Sequence, residues 1–78
     1  MYKIYTVENG FEKETRLGSE DMLTAIEHAV NMAGFEVRHS KVKLSFDTAN
    51  NQDGVLFQVR IFRTKDNQII NRIQVRKA

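Results

Sequence analysis

A single stretch of this chain, between Ser19 and Gly34, spaces its apolar residues at intervals of three and four, while the segments on either side alternate apolar with polar. A lone amphipathic helix cannot bury its own stripe, and alternating runs build a sheet with one apolar face, so the two together dictate a helix packed on a sheet. Met22, Ile26, Ala29, Val30 and Ala33 make the helical stripe, widened by Leu23 and Ala25. Ser19 is placed to cap the N-terminus, with Glu20 and Asp21 where negative charge is favoured. Gly34 is placed to end the helix in a left-handed residue, with Phe35 packing back, so the pattern predicts a helix from Glu20 to Ala33.

Ahead of the helix, Asn9-Gly10 supplies the two positive φ angles of a tight hairpin turn between short alternating runs. A two-residue loop pairs Glu8 with Phe11 and Ile4 with Thr15. It puts Tyr2, Ile4, Phe11 and Leu17 on the core side and Lys3, Tyr5, Val7, Glu12, Glu14 and Arg16 on the other. Three further strands are expected: Glu36 to Phe46, Gly54 to Thr64 and Ile69 to Arg76, the first two joined by the polar loop DTANNQDG. Val42, Leu44 and Phe46, then Val55, Phe57, Val59 and Ile61, then Ile73 and Val75 share the parity that faces the helix. A two-residue turn at Asp66-Asn67 would oppose Val59 to Gln74, so a three-residue loop is expected, with Val59 facing Ile73 or Val75. The fold class is α+β: one helix on a five-stranded antiparallel sheet in the order ββαβββ, a single domain over residues 1–78.

A chain of 78 residues buries only about 60% of its unfolded surface, which leaves a thin core and little room for an enclosed site. It has no cysteine, hence no disulfide and no thiolate metal site. No apolar run is long enough to span a membrane and no leader pattern precedes the first strand, so a cytoplasmic protein with no membrane contact is expected. Residues 1–36 carry three Lys/Arg against seven Asp/Glu, and residues 37–78 carry nine against three, giving −4 and +6. This segregation points to an anionic partner for the second half or to neutralisation between the halves.

With a helix on one side, the other side of the sheet faces water or a partner. The parities give it His39, Lys41, Lys43 and Ser45, then Gln58, Arg60, Phe62 and Thr64, then Ile70, Arg72, Gln74 and Arg76, twelve residues without a carboxylate. One allowed register opposes Arg60 to Arg72, a pairing that an anion would relieve. Cations around a phenylalanine suit an acidic protein surface or single-stranded nucleic acid. Against these stand a solvated basic face that guards the sheet from aggregation, and a homodimer contact through Phe62, Ile70 and Tyr5.

Catalytic chemistry has no pattern to rest on. His28 and His39 have no metal-ligand spacing, Ser19, Ser40 and Ser45 have no triad neighbours, and the glycines mark turns rather than a phosphate cradle, so neither enzyme nor cofactor is expected. Glu12 and Glu14 share a strand face as ordinary solvent-facing carboxylates.

The strands HSKVKLSF, FQVRIFRT and INRIQVRK, with the length and element order, carry one likeness. The chain resembles the small inhibitors encoded by phages and mobile elements, especially anti-CRISPR proteins built from one helix on a bent five-stranded sheet. That resemblance implies a non-enzymatic surface occupying a nucleic-acid path or a protein groove, and it transfers no residue role, because no motif matches. The expected function is a binding module with its contact centred on Arg60, Phe62 and Arg72 and extended by Lys41, Lys43 and Arg76. It would block a nucleic-acid-handling complex through a protein surface or, alternatively, bind single-stranded nucleic acid directly.

Overall fold

The computed structural model describes residues 1–47 and 54–78; most of the DTANNQDG connection, residues 48–53, lies outside the described residues. The elements are β1 (Tyr2–Glu8), β2 (Phe11–Ser19), α1 (Met22–His39), β3 (Val42–Asp47), β4 (Val55–Arg63) and β5 (Ile69–Lys77), the expected ββαβββ order. They form one antiparallel five-stranded sheet, in the order β2-β1-β5-β4-β3, with the helix on one face. The first and last strands are neighbours at its centre, and Ala78 N donates to Met1 O at 2.9 Å. None of the described helices is long and apolar enough to cross a membrane.

The helix is longer than its sequence pattern predicts. β2 and β3 lie at opposite edges and run in the same direction, so their connection must cross the sheet and also return along it. Four inter-strand spacings make about 19 Å of width. A helix ending at Ala33 would reach about 21 Å, whereas the 18 residues of α1 reach about 27 Å, enough for the diagonal. Gly34 therefore does not terminate the helix and has no positive φ. Phe35 continues it, its ring 4.3 Å from that of His39 one turn on, and Arg38 and His39 complement the C-terminal carbonyls before Ser40 turns extended. At the other end the cap is Asp21, whose Oδ2 accepts from Thr24 N at 3.0 Å; Ser19 Oγ instead accepts from Asp21 N.

Asn9 (φ 53°) and Gly10 (φ 79°) make the hairpin turn, and Glu8 faces Phe11 and Tyr5 faces Glu14 as the two-residue loop requires. Beyond that point β2 bulges, and Lys3 faces Gly18. Thr15 holds the bulge: its Oγ1 donates to Ile4 O at 2.8 Å and accepts from Leu17 N at 3.2 Å. Gly18 is required here, because a Cβ would sit 2.9 Å from Tyr2 O, whereas a Cβ on Gly34 would meet nothing within 4 Å. Gly34→Ala is thus expected to raise stability by about 0.5–1 kcal/mol through helix propensity, and Gly18→Ala to lower it. Urea unfolding of both variants checks this; a loss from Gly34→Ala would mean that the helix does not run through that position.

Ala25, Ala29 and Ala33, one turn apart and fully buried, let the helix sit close on Ile4, Phe57, Val59, Ile61, Ile73 and Val75. Tyr2, Ile26, Met32, Val42, Leu44 and Ile70 pack around them. Several residues expected to face the core are exposed instead: Phe11, at the hairpin tip, is 81% exposed, Leu17 lies in the bulge, Phe46 is on the edge strand β3, and Met22, Leu23 and Val30 flank the buried alanines of the helix.

Val59 faces Ile73, one of the two expected registers, but for a different reason. Arg63 N donates to Gln68 O and Asn67 N to Arg63 O, both at 2.8 Å, so four residues make the turn, with Asn67 at φ 59°. The parity correction comes from a bulge where Ile61 faces Asn71 and Phe62 faces Ile69. Ile70, expected on the open face, is the extra residue and packs against the core instead.

Candidate functional site

The side of the sheet away from α1 follows from the registers. Glu12, Val7, Arg72, Arg60 and Ser45 form one row across it, and Glu14, Tyr5, Gln74, Gln58 and Asp47 the next. Lys3 faces Arg76 on one side of these rows, and Lys43, Phe62 and Ile69 lie together on the other. Parity already puts Glu12 and Glu14 on the outer side of the hairpin, and strand order brings them, with Asp47, among five cations. The acidic first hairpin neighbours β5 because the terminal strands pair, a contact that no local pattern encodes.

These carboxylates engage specific cations. Lys3 Nζ donates to Glu14 Oε2 at 2.8 Å. Arg76 lies across the Tyr5 ring, its guanidinium carbon 4.4 Å from the centroid, and donates through Nη2 to Glu12 Oε1 at 2.8 Å. It also donates through Nε and Nη2 to Gln74 Oε1, while Gln74 Nε2 donates to Gln58 Oε1 at 2.6 Å. Arg76 is thus a structural strut, already committed within the chain. His39 belongs to the helix, and Lys41 sits one residue before β3, with its carbonyl accepting from Thr64 N and Oγ1. Neither lies in the rows.

The Arg76 hydrogen bond holds the Glu12 carboxyl below its ordinary value, as the bonds from Lys3 and then Tyr5 do for Glu14 and the Arg63 bond does for Asp66. Glu14 raises Lys3 in return. A carboxyl whose folded pKa lies below its unfolded value contributes stability that is present above the unfolded value and lost as pH falls through the folded one. The urea midpoint is therefore expected to hold from neutrality to about pH 5 and to fall below about pH 4. Glu12→Gln combined with Glu14→Gln should flatten that fall, and an unchanged acid limb would show that these pairs contribute nothing.

Arg60, Arg72, Phe62 and Lys43 are left as the centre. Arg60 and Arg72 stand directly opposite in the ladder. Arg60 Nη2 reaches Asp47 Oδ2 only at 3.4 Å, and its buried Nε has no hydrogen-bond partner among the described residues. Among the described residues, no carboxylate pairs with Arg72 or Lys43. Phe62, half-buried, lies opposite Lys43 and Ile69 and gives this group an apolar border. Elsewhere, a cleft of about 440 Å³ at the bulged end of the hairpin is lined by Met1, Lys3, Glu14, Thr15, Arg16, Leu17 and Gly18. Its lysine and glutamate pair with each other, and its threonine is held by the bulge.

Of the six residues singled out from the sequence, then, Arg60, Arg72, Phe62 and Lys43 come together, Arg76 is present but paired, and Lys41 lies at the rim. Ile69 was missed, and nothing local signals the bulge that exposes it. Comparison with family models, with curated proteins and with solved structures finds no match to this chain.

Proposed function

We propose that this protein is a non-enzymatic binding module whose open sheet face takes an acidic protein surface at Arg60 and Arg72, with Phe62, Ile69 and Lys43 around them. The observation that carries the reading is the Arg60–Arg72 pair. Two opposed like charges in a ladder cost something like 0.2–1 kcal/mol, and the buried Nε of Arg60 adds an unsatisfied donor. Partner carboxylates set between the two guanidinium groups would relieve the repulsion through the terminal nitrogens. A protein partner is favoured over a nucleic acid because Lys3 and Arg76 are already neutralised, which shortens any phosphate track, and a half-buried Phe62 is a poor stacking platform. The resemblance to small phage-type inhibitors supplies the class of target: a groove on a nucleic-acid-handling complex, blocked by occupation.

The test separates folding from binding in one variant. Arg72→Glu replaces a repulsive cross-strand pair with an attractive one and is expected to raise stability by about 0.5–1 kcal/mol. It should also weaken binding to an acidic polypeptide, with polyglutamate as the probe, by about tenfold or more. Fluorescence anisotropy at about 50 and about 200 mM salt, with oligonucleotides titrated alongside, provides the comparison. Tight, steeply salt-dependent oligonucleotide binding would replace this reading with a direct nucleic-acid binder. Binding to polyglutamate that Arg72→Glu leaves unchanged would remove the face from consideration.

A further inference from the structure

Along α1, Leu23, Ile26, Val30, Ala33 and Val37 recur at alternating spacings of three and four, the seam of a heptad pattern. Ala33 and Ile26 turn toward the sheet, but Leu23, Val30 and Val37, seven residues apart in succession, remain 71%, 37% and 43% exposed. They line one flank of the helix over its whole length. Gly34 lies on the same flank, with open space where a side chain would be. A glycine inside a helix weakens it, and this one relieves no clash within the chain; what it does permit is the close approach of another backbone.

We infer that this flank pairs with the same flank of a second copy, the two helices antiparallel about a two-fold axis at Val30. That axis sets Leu23 of each copy against Val37 of the other and Val30 against itself, with the open space at Gly34 letting the two backbones approach at two equivalent places. Charge selects the antiparallel sense. Glu20 and Asp21 precede the helix, and Arg38 and His39 end it, so each acidic, dipole-positive end meets the basic, dipole-negative end of the partner. A parallel pair would bring like ends together. Because α1 lies on the opposite side of the sheet from the Arg60–Arg72 face, the dimer would display two such faces pointing outward. The pairing stands independently of what those faces bind.

Sedimentation of the full chain from about 10 µM to about 1 mM tests this, a range suited to a contact smaller than a standard-size interface. The average mass is expected to climb toward twice that of the monomer. Val30→Glu and Val30→Lys should each remain monomeric throughout, with circular dichroism and thermal melts confirming that these variants of an exposed position are folded. An equimolar mixture should recover the dimer, since only a contact at the two-fold axis lets the two charges face each other. A wild type that stays monomeric at about 1 mM, a Val30→Glu protein that still dimerises, or a mixture that fails to recover would each overturn the inference. Dimerisation abolished by Phe62→Ala but kept by Val30→Glu would place the contact on the sheet face instead.

Discussion

Ile61→Ala is expected to remove about 3 kcal/mol of folding stability. Ile61 is fully buried in β4, facing Leu44 on one side and Asn71 on the other. A domain of this length holds about 4–12 kcal/mol in total, so the variant would sit near the edge of folding. The penalty belongs in the middle of the range for isoleucine truncations rather than at its top. Asn71 Oδ1, in that neighbourhood, is buried and has no partner among the described residues, and a water admitted to the new cavity would donate to it. Urea denaturation should show a lower midpoint with an unchanged slope, while Phe11→Ala, at an exposed position, should leave the midpoint in place. Equal losses from the two would mean that the hairpin tip is covered and that the core extends to Phe11.

Arg76→Ala is expected to cost about 2 kcal/mol, more than a surface cation normally contributes. The reason lies in what Arg76 covers. Its removal strips Gln74, a buried polar side chain, of its donor and uncovers the face of Tyr5. Arg76→Lys should recover less than half of the loss, because an ammonium group cannot lie flat on the ring while bonding to both Gln74 and Glu12. A neutral Arg76→Ala that nevertheless weakened binding to polyglutamate would return Arg76 from the scaffold to the contact surface. Thermal melts of the two variants, read beside anisotropy, distinguish these outcomes.

Much of the architecture is legible in the residues alone wherever the cause is local. The Asn9-Gly10 turn, the strand parities and the existence of one helix depend on backbone preference and side-chain period, which act within a few residues. The helix end is not legible in this way, because Gly34 is a sound local stop signal, while the diagonal crossing from β2 to β3 is a demand of the whole sheet. Likewise, Asn67 marks the last turn correctly, but the length of the loop and the fate of Ile70 are decided by a bulge that aligns apolar residues across two strands.

The candidate face divides in the same way. That Arg60, Phe62, Arg72 and Arg76 share a side of the sheet followed from alternation along two strands. That Arg76 is already neutralised, and Arg72 is not, followed from the pairing of β1 with β5, which carries Glu12 and Glu14 to within reach of the basic strands. By itself the sequence determined the element types, the helix-facing residues of β4 and the cations on its reverse, because secondary-structure period is a near-neighbour property. Only the tertiary structure decided which of those cations remain unpaired, since charge pairing depends on strand order, and strand order is set by the burial of an entire sheet beneath one helix.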